Sequence, residues 1–377
     1  MGFSASELAR YSRHLLLSEV GSAGQERLRT ARVLVVGAGG LGSPAALYLA
    51  ASGIGTLGIV DCDQVELSNL QRQVLFNTRD IAQSKALAAR EHLAALNPEI
   101  SVIAHALELQ AANVVEIVSQ YEVVVDGSDR IGTRYLVNDA CVILRKTLVS
   151  AAIYRFEGQV MTYVPGRGPC YRCLFPEAAA GAMPSCAEAG VLGVLPGVLG
   201  AIQATEAIKV VLGQGEPLIG RLLTYDALEM GFQEFSFARR PDCAVCGDQP
   251  SIKVPRDLAV SCSVDAPGLR RLTPPELAAL LEESGRSGER VQLIDVREPH
   301  EFGAGHLAGA VSIPLAELER RVPDFAHDAT LVFVCRSGSR SFRAATLAAE
   351  RGSRRTAHLE GGLIAWAASV DPSLPVA

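Results

Sequence analysis

Strand-like apolar runs alternate with helix-like amphipathic stretches through the first half of the chain. Strands are predicted over Arg32 to Val36, Thr56 to Asp61, Ile100 to Ala106, Glu122 to Asp126 and Thr147 to Ala151. Helices are predicted between them, over Ser43 to Ser52, Ser84 to Leu96, Asn113 to Ser119 and Arg134 to Leu144. Such alternation is the pattern of a doubly wound, mostly parallel α/β sheet. Gly158 to Val164 reads as an extra strand and Gly197 to Leu212 as an amphipathic helix. From 249 to 271 the periodicity is lost and Pro250, Pro255 and Pro267 gather among polar residues, which predicts an exposed linker. If flexible, it has an r.m.s. span of about 25 to 30 Å. A second α/β rhythm follows: helix Pro274 to Glu283, strand Val291 to Asp295, helices Pro299 to Phe302 and Leu315 to Arg321, strand Leu331 to Cys335, helix Ser339 to Arg351. The expected organisation is therefore a domain over 1–248, a linker over 249–271 and a smaller α/β domain over 272–377.

Composition narrows the classes. With 377 residues, 49% hydrophobic and 20% charged, the chain suits two soluble domains, and a net charge of -6 gives no footprint for nucleic acid or an anionic membrane. Glu7, Arg10 and Arg13 precede any apolar run, so no signal peptide is read there and a cytoplasmic protein is expected. The uncharged stretch from Ala189 is broken by Gly190, Gly193, Pro196, Gly197 and Gly200, which favours a buried loop and helix over a membrane span. Nine cysteines in that setting point to metal binding or thiol chemistry.

The first strand runs into Gly37-Ala-Gly39-Gly40-Leu-Gly42 and then a helix. Glycines there let the backbone approach a phosphate, and the helix N-terminus supplies N–H donors. Asp61, nineteen residues after Gly42, ends the next strand where a carboxylate can meet ribose hydroxyls. This much says nucleotide, and a dinucleotide is its default occupant. The following residues favour a triphosphate: Arg72 and Lys85 are cations suited to developing phosphate charge, and Asp129, after the strand ending at Asp126, is placed to hold magnesium. Read singly, Arg72 and Lys85 are solvated surface charges.

Cys170-x-x-Cys173 and Cys243-x-x-Cys246 are paired thiolate knuckles suited to a closed, structural tetrahedral zinc site. A redox pair is the alternative for either alone. Cys62, Cys141 and Cys262 read as inert buried thiols. Cys335-Arg-Ser-Gly-Ser-Arg340 follows an apolar strand and opens a helix, an environment of backbone N–H donors and arginines that favours a thiolate on Cys335. Such a cradle holds a persulfide or a phosphate.

Taken together, Arg10-Tyr-Ser-Arg13, the glycine turn, Ser68-Asn69-Leu-Gln-Arg72-Gln73, Lys85, the knuckles and Cys186-Ala-Glu-Ala-Gly190 resemble the Rossmann-like adenylating enzymes for sulfur carriers, bacterial relatives of ubiquitin-activating enzymes. The resemblance covers about Leu8 to Gly247. It implies that Gly37, Gly39, Gly40, Gly42, Asp61, Asn69, Arg72, Lys85 and Asp129 bind ATP and magnesium. It further implies that Arg13 reaches the other subunit of a homodimer, and that Cys186 takes part in thioester or persulfide exchange. One departure is Arg130, where the family pattern has Asn. The six-residue loop from Cys335 to Arg340, with Leu293-Ile-Asp295-Val-Arg297, Gly305-His-Leu and Gly361-Gly-Leu-Ile-Ala-Trp366, resembles rhodanese sulfurtransferases over about Leu272 to Leu374. Related phosphatases have one residue more in the loop. That resemblance makes Cys335 the sulfur carrier, with Arg340 beside it, and leaves Asp295, Arg297 and Trp366 to the fold. The implied activity is adenylation of the C-terminal Gly-Gly of a ubiquitin-like sulfur carrier, then sulfur delivery from a persulfide supplied by a cysteine desulfurase or thiosulfate, serving molybdopterin or thiamine biosynthesis. The rivals are a nicotinamide or flavin polysulfide reductase with a rhodanese tail, and a non-catalytic carrier-binding scaffold.

Overall fold

The computed structural model describes residues 2–176, 190–258, 269–287, 290–322, 325, 329–353 and 355–376. Two compact units divide between residues 259 and 260, within the expected linker.

In the first unit, β1 (Arg32–Val36), β2 (Thr56–Val60), β3 (Ser101–His105), β4 (Val123–Asp126), β5 (Thr147–Tyr154), β6 (Glu157–Tyr163), β7 (Arg221–Asp226) and β8 (Gly231–Ser236) form one sheet. Its order is β3-β2-β1-β4-β5-β6-β7-β8, parallel from β3 to β5 and antiparallel beyond. The apolar run of β1 is unbroken because both faces are covered. Val33 and Val35 pack with Leu49 and Leu93, while Leu34 and Val36 pack with Leu136 and Val137. Chain order reverses between β1 and β4, where Val36 is in register with Val60 on one side and Asp126 on the other. The carboxyl ends of β1, β2 and β4 are therefore flush, and ligands of such sheets bind at this crevice.

The helix Leu195–Leu212 is long and apolar enough to cross a membrane, yet half of it is buried against the helix Gly42–Ser52, β5 and β6. Its Glu206 is buried and accepts hydrogen bonds from Thr162 Oγ1 (2.7 Å) and the Leu218 N–H (2.6 Å), so it is a core helix of this unit.

Two features depart from the expected linker. The Ile252 N–H donates to the Ala244 carbonyl (2.8 Å) and Asp257 accepts from the Ala111 N–H (2.9 Å), tying residues before 259 to the first unit. At the other end, β9 (Leu269–Leu272) is a sheet strand with Leu272 buried. The 25 to 30 Å reach expected of a free 249–271 therefore does not apply, because both ends belong to folded units.

The second unit joins β9, β10 (Val291–Asp295), β11 (Val311–Ser312), β12 (Thr330–Val334) and β13 (Thr356–Leu359) in the parallel order β11-β10-β12-β13-β9. Asp295 and Arg297 form a fully buried ion pair (2.7 Å), and Arg297 also donates to the Gly305 carbonyl (2.6 Å), so both brace this unit. Trp366 lies in its core with Leu363.

Candidate functional site

The turn after β1 is held by backbone geometry that glycine alone satisfies at two points. Gly37 sits at φ +84°, and a Cβ on Gly42 would lie 1.7 Å from the Gly37 carbonyl oxygen. Asp61 locks this turn to β2: its carboxylate accepts from the Ala38 and Asp63 N–H groups, both at 2.8 Å. Burial raises the Asp61 pKa, against the opposing pull of Lys85. Gly39 and Gly40 form the turn's outer wall, and Arg72 and Gln73 lie across from them.

Asn69, Arg72 and Gln73 are brought together on one short turn. Asn69 Oδ1 accepts from Arg72 Nη2 (2.9 Å) and Gln73 Nε2 (3.2 Å). Lys85 opens the helix Lys85–Leu96 and its ammonium donates to Asp63 Oδ2 (3.1 Å). Partial burial pushes the Asp63 pKa up, but Lys85 outweighs it and holds the carboxyl below its usual value. Asp129 is exposed after β4 and makes no hydrogen bond among the described residues. Its neighbour Arg130 is paired with Glu108 (2.6 Å) and lies close enough to act on the Asp63 carboxylate. Arg13 lies exposed on the helix Ser12–Leu15, away from any acidic partner among the described residues. Cys62, expected to be buried, is exposed: it follows Asp61 on a loop outside the sheet, with its thiol 3.6 Å from Asp63. Cys141 is buried as expected, whereas Cys186 and Cys262 fall outside the described residues.

Residues that the motifs did not single out brace this site. Asp126, fully buried, accepts from the Ser128 N–H (3.0 Å) and hydroxyl (2.6 Å) and from Ser150 (3.3 Å), while Arg134 donates to the Ser128 carbonyl (2.8 Å). Together they fix the backbone that presents Asp129. Their only sequence signal was an aspartate ending an apolar strand.

The four knuckle cysteines converge although 73 residues separate the paired members. Their sulfurs all lie within 4.8 Å of one another, with Cys170 to Cys243 at 3.7 Å and Cys173 to Cys246 at 3.3 Å. A tetrahedral site with zinc–sulfur bonds of about 2.3 Å has sulfur–sulfur edges of about 3.8 Å, so the donor set fits zinc. The Arg240 N–H points at Cys173 (3.4 Å), the kind of donor that stabilises a ligating thiolate. Beside the cluster, Arg172 grips the buried Asp139 through two bonds (2.7 and 2.8 Å).

In the second unit Cys335 follows β12 at the carboxyl edge of the sheet, next to the β10–β12 reversal. Its buried sulfur accepts from the Gly338 and Ser341 N–H groups, both at 3.2 Å. Gly338 (φ +97°) gives the loop its curl, and the Leu363 N–H donates to the Cys335 carbonyl (2.8 Å) to hold it from behind. Arg340, expected beside the sulfur chemistry, is paired with Glu301.

Comparison with known proteins matches residues 11–245 to the ThiF family and residues 273–369 to the rhodanese-like domain. The chain belongs to the ThiF family. The chain is 43% identical over 98% of its length to the probable adenylyltransferase/sulfurtransferase MoeZ of Mycobacterium tuberculosis, of which it covers 95%. It is 52% identical to the sulfur carrier protein adenylyltransferase of Thermus thermophilus, over 70% of this chain and all of that protein. Among solved structures, a crystal structure of E. coli MccB with ATP superposes with a TM-score of 0.56 at 28% identity, over 63% of this chain and 75% of that one. The protein is thus an enzyme, an adenylyltransferase carrying a sulfurtransferase domain, and its family implies use of ATP.

Proposed function

We propose that the protein uses ATP to adenylate the C-terminal glycine of a ubiquitin-like sulfur carrier and then converts it to a thiocarboxylate with sulfur carried on Cys335, in molybdopterin or thiamine biosynthesis. The observation that carries this reading is the presence on one chain of a glycine turn flanked by Lys85 and Arg72 and of a loop whose N–H groups converge on the Cys335 sulfur.

In this reading Asp61 takes the ribose hydroxyls, the amides of the Gly37–Gly42 turn take phosphate oxygens, and Asn69, Arg72 and Lys85 meet the charge that develops as pyrophosphate leaves. Asp129, an exposed carboxylate with no hydrogen bond among the described residues, would hold magnesium, which supplies charge neutralisation on the phosphates. Arg13 serves the site of a partner subunit, which makes the working form a homodimer. Carboxylate attack on the α-phosphorus gives an acyl-adenylate and pyrophosphate. The terminal sulfur of a Cys335 persulfide, loaded by a cysteine desulfurase or thiosulfate, attacks the acyl carbon and displaces AMP. The resulting acyl disulfide is cleaved by a second thiol, assigned to Cys186. This releases the thiocarboxylate and leaves a Cys335–Cys186 disulfide that cellular thiols reduce. Each covalent step divides one difficult transfer into easier ones. Reduced thiols of this kind suit the cytoplasm.

The test is ATP–pyrophosphate exchange with each sulfur carrier of the source organism added in turn. One carrier, and not bovine serum albumin, should support exchange, and Lys85→Ala should abolish it without unfolding the protein. Exchange with none of them, or near-normal exchange by Lys85→Ala, refutes the assignment.

A further inference from the structure

The side chain of Lys85 is only 6% exposed; its ion-pair partner is Asp63, whose side chain is 54% exposed, and the Asp61 carboxylate also feels its charge. The pairing is built in by the backbone. The Lys85 N–H donates to the Asp63 carbonyl (2.9 Å), the Asp63 N–H donates to Asp61 (2.8 Å), and Gln64 and Ser84 form an antiparallel bridge between them. Val65 extends the same ribbon: its N–H donates to the Gln83 carbonyl and its carbonyl accepts from the Ala82 N–H, both at 2.9 Å. Two residues 22 positions apart are thereby held face to face at the mouth of the nucleotide crevice.

A buried ammonium without a counter-ion is costly, and a phosphate that claims Lys85 must take it from Asp63. We propose that Asp63 is the resting counter-ion of Lys85, a positioning residue that holds the ammonium aimed into the crevice until nucleotide binds and is then exchanged for a phosphate. This rests on the assignment of Lys85 to the nucleotide phosphates. The exchange makes ATP affinity a difference between two ion pairs. Asp63 lowers that affinity, which favours release of the nucleotide products, and in return stabilises the free enzyme.

The expected consequence is measurable with the full-length protein by calorimetric titration of ATP with magnesium, and of adenosine. Asp63→Asn removes the competing charge with little change of shape, so ATP should bind about tenfold more tightly while adenosine affinity stays the same. Without nucleotide the variant should melt lower than wild type, and saturating ATP should raise its melting temperature by more than it raises that of wild type. In a Lys85→Met background, Asp63→Asn should leave ATP affinity unchanged, because no ammonium remains to compete for. Unchanged or weaker ATP binding by Asp63→Asn overturns the proposal. So does an equal gain in the Lys85→Met background, which would mean that Asp63 merely repels phosphate. Failure of wild-type protein to bind ATP at all would instead refute the adenylating function itself. Asp63→Ala serves as the second variant should the amide disturb folding.

Discussion

Arg340 grips Glu301 with both arms of its guanidinium, Nη1 to Oε2 at 2.6 Å and Nη2 to Oε1 at 2.7 Å, across 39 residues of sequence. Both side chains are nearly buried. Arg340 lies in the first turn of the helix Ser339–Glu350, whose N-terminal end aims the Gly338 and Ser341 amides at Cys335, so the clamp sets the shape of the sulfur cradle.

Glu301→Gln should therefore lower thiosulfate sulfurtransferase kcat/KM about thirtyfold, the rate equivalent of losing ~2 kcal/mol for a hydrogen bond to a charged group. ATP–pyrophosphate exchange should be unchanged. The clamp also has a pH signature. Burial pushes the Glu301 pKa up, but Arg340 outweighs it and holds the carboxyl below its ordinary 4.5. Its stabilisation is complete above pH 4.5 and is lost as pH falls through the lowered value. The acid limb of the wild-type melting curve should therefore carry a loss that Glu301→Gln lacks.

Elemental analysis of protein purified without chelator should find one zinc per chain. Structural zinc contributes on the order of 10 kcal/mol in small sites, so Cys243→Ser should melt the first unit at markedly lower temperature. Thiosulfate sulfurtransferase activity, housed in the other unit, should survive. A zinc-free protein of normal stability would refute the site.

Cys335→Ala should keep normal ATP–pyrophosphate exchange with its carrier, lose thiosulfate sulfurtransferase activity, and leave the carrier's terminal glycine as carboxylate by mass spectrometry. Cys186→Ala should retain sulfurtransferase activity and slow thiocarboxylate release. Thiocarboxylate made at the wild-type rate by Cys335→Ala, without free sulfide, would remove the second unit from the pathway.

His358 is buried edge-on to Phe342 (5.2 Å), and among the described residues neither ring nitrogen has a well-formed hydrogen bond. Burial, helped by Arg271, lowers its pKa from 6.5. The unfolded chain therefore binds a proton below about pH 6.5 that the folded one refuses, and stability falls with pH until the folded imidazole itself titrates. Calorimetry of the second unit's transition from pH 8 to 5 should show this slope in wild type and a flatter one in His358→Phe.

The strands around the crevice were legible because burial on both faces turns β1, β2 and β4 into continuous apolar runs, and the glycine turn announces itself by composition. The hairpin β7–β8 was not. Phe232 and Phe235 stand exposed on β8, so no buried face disciplines its pattern. β9 was hidden because Arg270 and Arg271 occupy its middle. At the sites, residues that stand in one motif were readable, and pairings made across the fold were not. Lys85 was identified but its pairing with Asp63 was not legible; Arg340 was singled out and its hold on Glu301 was invisible. The helices Ala5–Arg10, Ser12–Leu15 and Gly21–Thr30 were missed because the N-terminal segment was read for its charges alone.

The cysteine cluster also imposes an order of assembly. Cys170 and Cys173 leave the ribosome long before Cys243 and Cys246, and the segment between includes β7 and β8, the outer strands of the sheet. Once Cys246 has emerged, all that remains of the first unit is its short final stretch, and no strand of the second has yet been made. A metal held by this cluster would thus close the adenylating unit during synthesis, before any strand of the sulfur-handling unit has been made.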